Sequence, residues 1–226
     1  MKREHISKMI YGQSKRFLLF IIPLVFLLSS CLGINADISL NQNGSGTITL
    51  EYRISKSLDA LGRLDGNERW NTIPVGRADF ERTMSRLPEM KLLSFSSRED
   101  EKDLVITVKM EFSSINGLLA FLDAGGGRSD FSGDARSGRL VLGLNEGRNQ
   151  NNPALNKLIA DICEPYSVKM SMSFPNEGSL NITDSQGKTA AIPGSEIQGR
   201  GKKVSCSIPL GEVLLSSGGI KLEFSW

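Results

Sequence analysis

The sequence predicts an α+β domain built mainly from antiparallel β-sheet, and three observations carry that prediction. Apolar and polar side chains alternate in repeated short runs, the period of a strand with one wet face. Most of these runs come in pairs joined by a few turn-forming residues. Between the pairs stand segments whose apolar residues recur three and four positions apart, as in a helix that covers a sheet.

The first pair is the clearest. Ile34, Ala36, Ile38 and Leu40 alternate with Asn35, Asp37, Ser39 and Asn41. Then comes Asn43-Gly44-Ser45-Gly46, whose Asn-Gly step suits a tight turn needing positive φ. Ile48, Leu50, Tyr52 and Ile54 return against Thr49, Glu51 and Arg53. Residues 56–76 are polar and include Gly62, Gly66, Pro74 and Gly76, which predicts a loop with one short helical turn. Phe80, Met84 and Leu87 give an amphipathic helix closed by Pro88.

A second hairpin follows. Leu93 and Phe95 lead into it, residues 99–102 turn it, and Leu104, Ile106, Val108, Met110 and Phe112 return along one face. Ile115, Leu118, Leu119 and Leu122 predict a helix capped by Ser113 or Ser114. Residues 123–138 hold Gly125, Gly126, Gly127, Gly133 and Gly138 among Arg and Asp, and read as a mobile surface loop. Leu140 to Leu144 form a short strand, and the polar run 145–152 is a second loop.

Asn152-Pro153 opens a helix with Leu155, Leu158, Ile159 and Ile162 in one stripe. Val168, Met170, Met172 and Phe174 mark a strand, Leu180 and Ile182 the next, and Val204, Cys206 and Ile208 another. A short helix near Leu210 to Leu215 leads to the last strand, Ile220, Leu222, Phe224 and Trp226. A core-facing tryptophan there would tie the chain end down. Residues 31–226 therefore read as one α+β domain, or two packed subdomains, with three or four inserted helices.

The residues before this domain carry a different message. Lys2, Arg3, Lys8, Lys15 and Arg16 precede an apolar run from Phe17 to Leu28, and Ser29, Ser30 and Cys31 follow. A basic start, an apolar centre and small residues at the cut describe an export signal. The run is shorter than the roughly 20 residues of a membrane-spanning helix, and Pro23 interrupts it. Translation starting at Met9 would leave the same signal shorter.

Leu28-Ser29-Ser30-Cys31 resembles the lipobox of bacterial lipoproteins. The resemblance implies that residues 1–30 are a removable signal peptide and that Cys31 becomes the first residue of the mature chain. It implies an S-diacylglyceryl group on the Cys31 sulfur and an acyl chain, such as palmitate, on its nitrogen. One acyl chain binds a membrane only marginally, whereas two or more hold it stably. The location implied is the bacterial cell membrane or the outer membrane, on the extracytoplasmic side, facing periplasm or surface. Leu32 and Gly33 supply no aspartate of the kind that retains some lipoproteins in the inner membrane.

Loss of the leader changes the charge balance. The whole chain has 27 Lys/Arg against 25 Asp/Glu; removing five bases and Glu4 leaves 22 against 24. No dense basic stripe interleaved with aromatics remains, so nucleic acid is not an expected partner. Arg200, Lys202 and Lys203 read as a solvated loop. The one histidine is His5, inside the leader. A mature chain without histidine cannot run Ser-His-Asp or Cys-His catalysis or offer a histidine metal site. Carboxylate-pair hydrolysis stays chemically open, but no spacing selects a pair.

Other fragments carry little. Gly187-Lys188-Thr189 lacks the leading glycine of a phosphate loop, since Ile182 stands there. Asp123, Asp130 and Asp134 lack the spacing of the EF-hand calcium loop. Met170 and Met172 belong to the core, with the lining of a soft apolar pocket as the alternative. No catalytic residue, metal site or cofactor is expected. Cys163 and Cys206 are candidates for a disulfide in an exported chain, with two buried thiols as the alternative.

Asp37, the Asn43-Gly44-Ser45-Gly46 turn and the closing Gly219-Ile220-Lys221-Leu222-Glu223-Phe224-Ser225-Trp226 resemble the LppM-like domain of bacterial lipoproteins. The matched residues lie at the two ends of the mature chain. This resemblance implies a membrane-tethered domain with an apolar cavity suited to lipid or glycolipid, and no catalytic residues. The expectation is a non-enzymatic envelope lipoprotein that binds an apolar or amphipathic ligand, or an envelope protein, near the membrane. A structural or host-facing surface protein is the alternative.

Overall fold

A computed structural model describes residues 33–56, 76–101, 103–123, 129–145 and 152–226. The signal peptide expected over 1–30, Cys31 and most of the loop expected over 56–76 lie outside these residues. The first hairpin forms as its alternation requires. Strands β1 (Gly33–Leu40) and β2 (Gly46–Ser55) pair antiparallel, with Gly33 opposite Arg53 and Leu40 opposite Gly46. The Asn41 N–H donates to the Ser45 carbonyl (2.8 Å), and Gly44 takes a φ of 83° that a side chain would strain. At Gly46 the limit is space: a Cβ would collide with the Ser39 carbonyl oxygen and the Phe112 ring.

Helix α1 (Arg77–Met84) buries Phe80 and Met84. The Phe80 ring lies 6.4 Å from Tyr52 and 5.8 Å from Phe95, which fastens the helix to the sheet. Strands β3 (Met90–Glu99) and β4 (Asp103–Phe112) form the second hairpin, and β4 also pairs with β2. Leu93, expected only as a leading residue of this strand, sits at a register shift. Leu92 faces Met110 and Ser94 faces Lys109, so Leu93 is the extra residue of a bulge and is 43% exposed. Helix α2 (Ile115–Leu122) is capped by Ser114, whose Oγ accepts from the Gly117 N–H (3.1 Å).

The expected mobile loop at 123–138 is corrected over its second half. Strand β5 (Ser129–Gly133) pairs with β6 (Gly138–Asn145). The Asp134 carboxylate accepts from the Arg136 and Ser137 N–H groups (2.7 and 3.0 Å), so a side chain closes the turn. Residues 124–128 and 146–151 lie outside the described set. Helix α3 (Pro153–Cys163) follows, with Pro153 in the first helical position.

The two strands expected around Val168 and Leu180 are one strand, β7 (Ser167–Thr183), 17 residues long. Pro175, Asn176 and Gly178 supply turn residues, but here they bend a strand instead of ending it. Both halves of β7 find neighbours. The first pairs in parallel with β1 and antiparallel with β9 (Arg200–Pro209); the second pairs with β10 (Ile220–Ser225). Its register against β9 shifts between Ser173 and Gly178, which marks the bend.

The sheet order is β3-β4-β2-β1-β7-β10-β6-β5, with β9 beside β7 and β8 (Glu196–Gln198) beside β9. The sheet is mixed: β1 and β7 are parallel, whereas the other strand pairs are antiparallel. Arg200, Lys202 and Lys203 lie in β9, not in a loop. Helix α4 (Leu210–Leu215) packs on α3 and against β7 and β9.

One face of the sheet is core. Val204, Met172, Ile38, Ile48 and Met110 form one row across five strands, and all are buried. Met170 and Met172 are thus core residues, as the alternation predicts. The end of the chain is held as expected. Trp226 stacks between Phe131 (5.9 Å) and Phe174 (5.5 Å), and its Nε1–H donates to the Ala135 carbonyl (3.2 Å).

Candidate binding grooves on the polar face of the sheet

The opposite face of the sheet carries the polar half of each alternating run. Ser207, Lys169, Asn35, Glu51 and Thr107 lie in one row across β9, β7, β1, β2 and β4. Ser205, Ser171, Asp37, Thr49 and Lys109 make the next. The parallel β1/β7 pairing brings these residues together, and local sequence gives no sign of it.

Two open grooves lie on this face, meeting at Asn35 and Lys169. The first, about 460 Å³, is lined by Gly33, Ile34, Glu51, Arg53, Asp103 and Tyr166, among others. The second, about 490 Å³, runs along Ser171, Ser205 and Ser207 to Glu196 and Gln198 of the short edge strand β8. Both clefts are mixed in lining: Ile34 and Pro165 stand among the polar residues of the first, and Met170, Cys206 and the 48% exposed Ile197 among those of the second.

The charges in the first groove are loosely paired. The Arg53 guanidinium lies 3.5 Å from Asp100 Oδ2 and 3.9 Å from Glu51 Oε1. By contrast, Arg139 holds Glu223 with two close bonds of 2.6 and 2.8 Å. Lys169 is exposed and has no ion pair among the described residues. The Tyr166 hydroxyl stands 3.5 Å from Asp103 Oδ1. Burial first, and then the Asp103 and Asp100 carboxylates, push the Tyr166 phenol above its ordinary value.

Beside the second groove, Asp37 Oδ2 accepts from Lys203 Nζ (2.6 Å) and Ser171 Oγ–H (2.7 Å). Burial pushes the Asp37 carboxyl up, but the Lys203 and Ser171 hydrogen bonds outweigh it and hold it below the usual carboxylate range. A third cleft, about 480 Å³, gathers Gln42, Asn43, Ala135, Arg136, Pro175 and Asn176 at the opposite end of β1.

Of the two alternatives for Cys163 and Cys206, a disulfide joining them is not the one seen. Cys206 is a free thiol buried in the core, with Met170 as its cross-strand neighbour. Cys163, also buried, ends α3 and is itself disulfide-bonded. Burial raises the Cys206 thiol to about 11, against a smaller lowering by a Met170 backbone hydrogen bond.

Sequence reading placed Asn35, Glu51 and Arg53 on the wet face but singled out neither Lys169 nor Tyr166. Alternation gives the face of Lys169; only strand order gives its neighbour. Among the described residues no helix is long and apolar enough to cross a membrane.

No protein-family model matches the chain, and no curated protein matches it. Among solved structures it is similar to the NMR structure of the folded domain of Mycobacterium tuberculosis LppM. That similarity has a TM-score of 0.41 at 10% identity and covers 87% of this chain and 89% of that one. A likeness of this size does not carry a fold or an activity from one chain to the other.

Proposed function

We propose that this protein is a non-catalytic envelope lipoprotein, held at a bilayer by acyl groups on Cys31, whose polar sheet face binds an amphipathic ligand or partner at the membrane. The observation that carries the reading is the spacing between anchor and domain. The lipobox-like Leu28-Ser29-Ser30-Cys31 ends two residues before Gly33, where β1 begins. Two residues span at most about 7 Å. A lipid on Cys31 therefore holds the start of β1, and the groove beside Gly33, next to the headgroups.

The ligand is amphipathic rather than wholly apolar. The clefts on this face are open and lined by charged and hydroxyl side chains together with apolar ones, Ile34 in the first and Met170 and Ile197 in the second. The apolar cavity implied by the LppM-like resemblance has no counterpart in these clefts. The test compares the wild-type chain with Cys31→Ser in the native host. Wild type is expected in the membrane fraction, resistant to salt, with the mass of an acylated mature chain; Cys31→Ser is expected to lose acylation and processing. An unmodified wild-type chain would remove the reading.

A further inference from the structure

We propose that the groove beside Gly33 seats the zwitterionic headgroup of a membrane phospholipid, with its phosphate at Arg53 and Lys169 and its ammonium at Glu51 and Asp103. This inference rests on the lipid-anchor reading above and adds the occupant of the groove.

Three observations support it. The first is reach. Gly33 and Ile34 line the groove, so its mouth sits beside the point where the chain meets its anchor. The third cleft lies at the other end of β1; eight residues at about 3.3 Å each put it roughly 26 Å further away.

The second is charge. Two cations and two carboxylates line the groove, so it has no net charge to attract a plain anion. A headgroup with both signs matches it. Lys169 has no ion pair among the described residues, and Arg53 holds its acidic neighbours at 3.5 and 3.9 Å, too far for close hydrogen bonds. A guanidinium with five N–H donors therefore has several to offer a phosphate. Asp103, 7% exposed, keeps its backbone N–H on Asp100 Oδ1 (2.7 Å), which fixes the turn at the floor of the groove that it lines.

The third is chemistry at the rim. Tyr166 presents a ring with a polar tip, and Arg53 and Lys169 present apolar stems with charged heads. Side chains of these kinds sit well where hydrocarbon gives way to headgroups. The groove volume of about 460 Å³ is within the usual range for small-molecule sites, about 300–1,000 Å³.

The experiment uses full-length protein purified from membranes and reconstituted into vesicles. One set contains phosphatidylethanolamine with a photoreactive headgroup, the other phosphatidylglycerol with the same group. Intact mass is recorded first. The acylated chain is expected to cross-link to phosphatidylethanolamine within residues 33–35, 51–53 and 165–169, and not at Asn43 or Arg136. Arg53→Ala with Lys169→Ala should lower that labelling about tenfold or more, and Lys169→Arg should preserve it. Circular dichroism shows whether each variant is folded.

An unacylated chain would overturn the anchor and this inference together. An acylated chain labelled at the far turns, or equally by both lipids, would overturn the headgroup site and leave the anchor standing.

Discussion

Cys206 shows how far burial governs chemistry at the scale of one residue. Its thiol is 4% exposed as a residue and raised to about 11, so at pH 8 it is both protonated and covered. A thiol reagent is expected to leave Cys206 unmodified in the folded protein and to react once denaturant opens the core; rapid labelling of the folded chain would contradict the packing. Asp37 makes the opposite case. Its folded value lies below the ordinary 3.8, so the stabilisation from Lys203 and Ser171 is complete above that value and is lost as pH falls through the folded one. The side chain is 44% exposed, which limits the contribution to less than about 1 kcal/mol. Urea unfolding should show Asp37→Asn less stable than wild type at pH 7, with the difference shrinking near pH 3. Single-residue reading succeeded for Ser114 and Met172, where local pattern decides. It gave no sign of the Leu93 bulge and left the state of Cys206 open, because a bulge and a disulfide depend on what stands across the sheet.

Hairpins were legible at the scale of elements because their signal is local. β1 and β2 follow from strict alternation around Asn43-Gly44, and β4 from five apolar residues in phase. β7 was not, since Pro175, Asn176 and Gly178 announce a break and the structure makes a bend. A clamp of aromatics secures that bend. Trp226 lies between Phe131 and Phe174, and a Cβ at Gly178 would collide with the Phe174 ring. Trp226→Ala removes both stacks and the hydrogen bond to Ala135, so a loss of about 3 kcal/mol is expected by chemical denaturation. A loss under about 0.5 kcal/mol would show that the chain end is not held by this clamp. The β5–β6 turn belongs here too. Its glycines suggest mobility, but the Asp134 carboxylate, bonded to two backbone amides, closes it.

At the scale of the whole molecule, strand order decides what the protein presents. The parallel meeting of β1 and β7 places Asn35 beside Lys169 and joins two polar grooves. It also runs β1 and β7 away from Gly33 together, which sets a Gly33 end and a far end. The polar half of each strand was legible from alternation, but not this assembly, because a pairing between residues 34–39 and 168–173 leaves no local trace. If the anchor sits at one end, protection from hydrogen exchange on membrane binding should concentrate in residues 33–35, 51–54 and 165–169. Residues 41–45 and 134–137 should exchange alike with and without vesicles; the reverse pattern would turn the molecule over.

The state of the Cys31 sulfur tests the central claim most directly. The measurement is mass spectrometry of the mature chain and its first peptide, taken from native membranes without reduction. The account predicts a chain beginning at Cys31 with a diacylglyceryl thioether on that sulfur. A Cys31 that is free, or joined to another cysteine, would contradict it.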